Sequence, residues 1–90
     1  MKVFWTVLAE QDREEIFVHT AADNPRAAVA MDELFSTCAQ QLSNFPQLGK
    51  PGLVAGTREL IPHENYRLVY EVNEVQAEVW VLALIHTARR

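Results

Sequence analysis

The stretch YRLVYEV, residues 66–72, decides the fold class of this 90-residue chain. Its side chains alternate with a period of two, which is typical of a β-strand whose neighbouring residues point to opposite faces of a sheet. Arg67, Val69 and Glu71 share one face, and the more apolar set shares the other. The stretch therefore predicts a central strand, with Arg67 in its middle and on the face opposite the packed core.

Two further runs around this strand are rich in β-branched and aromatic residues. Thr57–Ile61 precedes it, and Glu78–His86 follows it. The segments Pro62–Asn65 and Asn73–Gln76 are short and polar, as expected of turns between neighbouring antiparallel strands. These runs predict a three-stranded antiparallel meander in the second half of the chain.

Upstream of the loop Pro46–Gly52 the period of the apolar residues is 3.6, which predicts helices. The first helix is expected over Ala9–Ala22, and Asp23–Pro25 ends it. Asn24 can cap a second helix that has Pro25 at its first position. That helix, about 20 residues long, carries an apolar stripe at steps of three and four. The stripe comprises Ala28, Met31, Phe35, Cys38, Leu42 and Phe45.

The chain opens with an alternating apolar segment, residues 3–8, which predicts an N-terminal strand with both faces largely apolar. A strand, an antiparallel helical hairpin and a meander in this order predict an α+β fold with one sheet. Ninety residues leave room for a single domain over residues 1–90.

Composition excludes several classes of protein. Cys38 is the only cysteine, so no intrachain disulfide is expected, and a lone thiol fits a reducing cytoplasm. The net charge of −4 argues against a protein whose whole surface binds nucleic acid. The histidines and Cys38 lack the spacing of metal ligands, and no phosphate-binding loop is present, so neither a metal nor a cofactor is expected. No apolar run is long enough to span a membrane.

Arg67 has two interpretations. An arginine on a central strand is costly to bury unless it is paired. It can form a cross-strand ion pair with Glu59 or Glu78, or it can clamp an anion on the sheet.

His86 is the other candidate for chemistry. It ends the last strand and is followed by Arg89 and Arg90, so it can act as a general acid or base on RNA. Taken alone, it more simply closes the strand end by hydrogen bonding. Cys38 falls on the apolar stripe and is expected in the core.

Five segments then follow one another at the spacing of a known family. They are Asn24-Pro25-Arg26-Ala27-Ala28, Phe45-Pro46-Gln47-Leu48-Gly49-Lys50-Pro51-Gly52, Gly56-Thr57-Arg58-Glu59-Leu60, Asn65-Tyr66-Arg67-Leu68-Val69-Tyr70 and Ile85-His86-Thr87-Ala88-Arg89-Arg90. Together they resemble the RelE/ParE family of toxins from bacterial type II toxin–antitoxin systems. The resemblance covers nearly the whole chain and implies the same α+β fold.

The resemblance implies one of two activities. RelE-type members are metal-independent endonucleases that cut mRNA on the ribosome, whereas ParE-type members poison DNA gyrase and are not nucleases. In either case it implies a cognate antitoxin as partner, contact with operator DNA only through that antitoxin, and no membrane. The catalytic or target-binding candidates are Arg67, His86, Arg58, Arg89 and Lys50.

Individual segments favour different activities. Residues 66–70 are similar to the RelE stretch that carries a catalytic arginine, which maps onto Arg67. The ending of residues 84–89 looks more like ParE. The loop before the second predicted strand of the chain, residues 46–52, has only Lys50 where the RelE-type pattern carries lysines. The acidic net charge also suits a ribosome-binding protein poorly. The sequence favours a ParE-type gyrase poison over a RelE-type RNase, and an inert member kept for antitoxin binding is a third alternative.

Overall fold

The computed structural model describes residues 1–87. The elements follow in the order β1 (Lys2–Trp5), α1 (Val7–Asp23), α2 (Pro25–Gln41), β2 (Lys50–Pro51), β3 (Thr57–His63), β4 (Tyr66–Asn73) and β5 (Glu78–His86). The strands form one five-stranded sheet in the order β1-β5-β4-β3-β2. None of the helices in the described part of the chain is long and apolar enough to span a membrane.

The predicted meander is confirmed, since β3, β4 and β5 pair antiparallel in chain order. β1 lies beside β5 and runs parallel to it, so the first strand pairs with the last. The two-residue strand β2 pairs with β3 at the other edge, within the segment expected to be only a loop. The α+β architecture is therefore as expected, with one additional short strand.

The two helices form the predicted hairpin around a single residue. The Asn24 side chain accepts a hydrogen bond from the Ala27 backbone N–H at 3.1 Å, and Pro25 occupies the first turn, where its missing N–H removes no helical bond. Across the hairpin, Arg13 Nε lies 2.6 Å from Asp32 Oδ1, and the Arg13 guanidinium also stacks on the Trp5 ring.

The helical hairpin covers one face of the sheet, and the buried core lies between them. Phe35 of α2 meets Tyr66 of β4 edge to face, with ring centroids 5.8 Å apart. The buried cluster contains Ala9, Phe35, Ala39, Leu42, Leu68, Tyr70, Val79, Val81 and Leu84, and Cys38 packs against it as expected. We call the opposite side of the sheet the outer face.

The boundary between β1 and α1 differs from the prediction. The alternation through residue 8 predicts a strand, but β1 ends at Trp5 and α1 already begins at Val7. Thr6 explains the difference, because its hydroxyl accepts the Ala9 N–H at 3.1 Å and so caps the helix. Val7 and Leu8 are consequently exposed on the first turn of α1.

The end of α2 also differs from the prediction. The helix ends at Gln41, and Phe45, the last residue of the predicted stripe, is exposed outside it. Ser43 and Asn44 bond carbonyls three residues back, which tightens the chain into turns. Pro46 then disfavours helical geometry at Phe45. The apolar period therefore extends beyond the helix that it predicted.

Candidate functional site

Arg67 lies on β4, between β3 and β5, and on the outer face as predicted. Its Nη1 atom donates to Glu59 Oε1 of β3 at 2.9 Å. Both side chains are only 7% exposed. Of the two carboxylates considered from the sequence, the arginine is thus paired with Glu59. This is a buried ion pair, whose desolvation is offset by close contact between the charges.

The ion pair forms the floor of a cavity of about 430 Å³ on the outer face, which we call the ion-pair pocket. Leu53 and Ile61 form its apolar rim and are both exposed. Lys50 lies in β2 opposite Glu59, and Glu64 lines the same cavity. Among the described residues that line the pocket, two cations are therefore matched by two carboxylates.

The short strand β2 and the turn after it hold Glu59 in place. Glu59 Oε2 accepts a long hydrogen bond, 3.4 Å, from the Leu53 N–H. A Cβ atom on Gly52 would lie 2.3 Å from Thr57 Oγ1 and 3.3 Å from Glu59 Oε2, so the backbone approaches β3 this closely only because residue 52 is glycine. The segment Pro46–Gly52, predicted from the sequence as a loop, thus forms a fixed wall of the pocket.

Arg58 is directed elsewhere, because it is on the helix side of the sheet with Tyr70, its neighbour on β4. Its Nη1 donates to the Gly49 carbonyl at 2.6 Å. The buried Tyr70 hydroxyl accepts the Gly49 N–H at 2.8 Å and donates to the Pro46 carbonyl at 2.9 Å. Arg58 and Tyr70 therefore anchor the loop after α2, and the structure gives Arg58 a structural contact outside the ion-pair pocket.

Burial raises the pKa of the Tyr70 hydroxyl above its ordinary value of 10.0, and the Gly49 N–H and the Arg58 charge partly oppose this. Burial also raises the pKa of the Cys38 thiol above its ordinary value of 9.0, which fits a protonated thiol packed against the core.

His86 lies on the helix side of the sheet. It pairs with Tyr66 on β4, and the two rings meet edge to face at 5.3 Å. It lines a second cleft, of about 420 Å³, together with His19 and Asp12 of α1. Arg67 and His86 are therefore on opposite faces of the sheet.

A β-bulge puts His86 on that side. Counting by two along β5 from the buried Val79 and Val81 would direct His86 to the outer face, but the register shifts between Val81 and Ala83, and Leu84 is buried instead. An extra residue in a strand reverses the faces beyond it. Asp12 Oδ2 accepts the Leu84 N–H at 3.1 Å just after the bulge.

The remaining candidates are distributed as follows. Lys50 is exposed at the pocket, whereas Arg89 lies outside the described residues. Within residues 1–87, no group of three or more His, Cys, Asp or Glu side chains could hold a metal ion. The structural roles of Tyr70 and Asp12 were not anticipated. A tyrosine on the core face of a strand needs a partner for its hydroxyl, and that was the available signal.

Comparison with known proteins decides the family. A family model described as "ParE toxin of type II toxin-antitoxin system, parDE" matches residues 3–90. The chain belongs to the ParE toxin family. A protein from Sinorhizobium fredii named as a candidate toxin, Y4kP, is 28% identical over 86 residues, which are 94% of this chain and 86% of that protein.

Solved structures share the ParE-family fold. The chromosomal ParDE toxin–antitoxin system from P. aeruginosa aligns with a TM-score of 0.76 at 22% identity, over 96% of this chain and 95% of that one. The RelBE2 toxin–antitoxin complex from Mycobacterium tuberculosis gives 0.66 at 24% identity, over 97% and 91%. A YoeB/ParE toxin from Agrobacterium tumefaciens gives 0.68 at 21%, over 96% and 98%. These likenesses confirm the RelE/ParE-like fold.

Alkaline unfolding should depend on Tyr70. A raised pKa means that the folded state holds the phenolic proton longer than the unfolded state, so stability is full below pH 10 and falls as pH rises above it. Cys38 contributes in the same direction from about pH 9.0. We expect Tyr70→Phe to lose about 1–3 kcal/mol at neutral pH, because two backbone groups lose a partner. We also expect it to show a shallower decline above pH 10.

Urea unfolding followed by tryptophan fluorescence at several pH values measures both effects. Tyr66→Phe is the matched control, since it removes a phenol from the same strand and keeps Tyr70. An alkaline decline in Tyr70→Phe as steep as in the wild-type protein would contradict the prediction.

Proposed function

We propose that this ParE-family toxin inhibits growth by poisoning DNA gyrase and does not cleave RNA. One observation carries the proposal: the arginine that corresponds to the RelE catalytic position, Arg67, is neutralised by the buried Glu59, 2.9 Å away, and the sheet separates it from His86. A nuclease that uses the 2′-hydroxyl of RNA needs its acid–base group and its anion-stabilising group around one phosphate. The arrangement of these two residues does not provide that.

A RelE-type ribosome-dependent RNase is the second candidate. It is supported by the residues 66–70 themselves and by the position of Lys50 at the ion-pair pocket. It requires Arg67 to leave Glu59 and act without His86, and for that reason we place it second.

We further propose a cognate antitoxin as the partner, acting in the cytoplasm and linking the toxin to operator DNA. The related solved structures are described as toxin–antitoxin assemblies. On the helical hairpin, Leu8, Val18 and Leu34 are exposed to solvent. The acidic residues Glu10 and Glu14 are exposed there as well. An amphipathic antitoxin helix with basic flanks fits this surface, and an antitoxin strand added to a sheet edge is the alternative.

A paired assay on the purified toxin tests the proposed target. One arm measures DNA supercoiling by gyrase and trapped, cleaved DNA, and the other measures mRNA cleavage on programmed ribosomes. We expect inhibited supercoiling with trapped DNA and intact mRNA, and we expect the toxin premixed with its antitoxin to be inactive in both arms. Codon-phased mRNA cuts with normal gyrase activity would favour the RNase instead. Inactivity in both arms would favour an inert member kept for antitoxin binding.

A further inference from the structure

The ion-pair pocket contains a carboxylate directly against the arginine at its floor. We infer that Glu59 excludes phosphate groups from Arg67 and thereby determines which class of ligand the pocket can accept. With Glu59 in place, the pocket rejects the phosphodiesters of nucleic acid. The inference concerns the chemistry of the pocket and does not require that gyrase be the target.

Glu59 cannot easily move aside for an incoming anion. Its side chain is 7% exposed, and its two oxygens point to different partners, Oε1 to Arg67 and Oε2 to the Leu53 N–H. A Cβ atom at Gly52 would lie 3.3 Å from Oε2, so this segment leaves little space beside that oxygen. A rotation that freed Arg67 would leave a buried carboxylate without its cation, which is strongly unfavourable.

A phosphate that entered while Glu59 stays in place would meet a like charge at short range. Electrostatic interactions between poorly solvated groups are several times stronger than in bulk water, so the repulsion from Glu59 cancels most of the attraction to Arg67. Lys50 is exposed and its charge is largely screened, and Glu64 adds a second negative charge to the lining. The described residues of the pocket therefore supply no net positive charge for an anion.

Glu59→Gln removes the negative charge and keeps the size of the side chain and an oxygen that can accept from Arg67. We expect inorganic phosphate and a short single-stranded RNA to show no saturable binding to the wild-type protein. Glu59→Gln should bind both at least about tenfold more tightly. The unit charge it removes lies beside any phosphate bound to Arg67, and at such short range its repulsion is worth more than that factor. The affinity of the variant should fall as salt is added.

Binding is measured by fluorescence anisotropy of labelled RNA and by NMR titration of the arginine side-chain signals with phosphate. Glu64→Gln is the matched control, since it makes the same change in net charge within the same pocket, but at an exposed side chain rather than at the buried partner of Arg67. Its affinity should stay near that of the wild-type protein. The double variant Glu59→Gln, Arg67→Gln should lose the gained binding.

The inference is overturned if wild-type Arg67 already responds to phosphate, or if Glu59→Gln gains no more affinity than Glu64→Gln. A gain that persists in the double variant also overturns it, because the binding would then lie elsewhere. If Glu59→Gln does not fold, the wild-type titration decides: a response of the Arg67 signals to millimolar phosphate overturns the inference, and no response supports it. Neither result depends on the gyrase and ribosome assays.

Discussion

Arg67→Ala is expected to lower the free energy of unfolding by about 3–5 kcal/mol, because it leaves the Glu59 carboxylate buried without its cation. For a 90-residue domain this is a large share of the total stability. Urea unfolding of the purified protein, followed by the fluorescence of its two tryptophans, measures the loss. Growth assays on the same variant should then report a loss of toxicity that follows the loss of folded protein.

Two comparisons make the cause of that loss visible. Replacing both partners, as Arg67→Met with Glu59→Leu, should recover most of the stability, since no charge then remains buried. Arg58→Ala is the control for removing an arginine from the same sheet. It should cost only about 1.5–3 kcal/mol, the loss of a charge-assisted bond to the Gly49 carbonyl. A fully stable but non-toxic Arg67→Ala would contradict the ion-pair interpretation and favour an anion clamp.

Phe35→Ala should lower the free energy of unfolding by about 3–5 kcal/mol, as is typical when a large side chain in a buried core is truncated. The ring is 1% exposed, and it packs edge to face on Tyr66, which in turn contacts His86. In a domain of this size the melting temperature should fall by more than about 10 °C. Thermal unfolding by circular dichroism measures the fall, and NMR signals of Tyr66 and His86 should shift with it.

Leu34→Ala is the matched control for Phe35→Ala, because the neighbouring side chain on the same helix is 45% exposed. Its effect should stay within about 1 kcal/mol, as expected away from the core. Equal losses in the two variants would mean that helix propensity, rather than burial against the sheet, sets the stability of α2.

Much of the fold was predictable from local patterns. The run of β-branched and aromatic residues predicted β5 with its observed bounds, and Asn24 with Pro25 located the start of α2, because both signals depend on neighbouring residues. The true start of α1 was not predicted, since the Thr6 cap competes with an alternation that continues through residue 8. The short strand β2 was missed because two residues carry no period.

The candidate site was only partly predictable, for a physical reason. The face of Arg67 follows from simple alternation, and cross-strand proximity narrowed its partner to Glu59 or Glu78, of which the structure has Glu59. The position of His86 does not, because the bulge at Leu82 shifts the register of β5 against β4. A shift of one residue exchanges the two faces of a strand, and no residue type in this segment predicts the bulge.

The parallel pairing of β1 with β5 also bears on when the protein can fold during its synthesis. Residues 2–5 emerge from the ribosome well before their partners, residues 78–81. The helices can form early because their contacts are local, whereas closing the sheet requires the longest loop in the chain. A nascent toxin therefore stays incompletely folded until β5 has been synthesised, and any truncation that removes β5 leaves β1 without its neighbour.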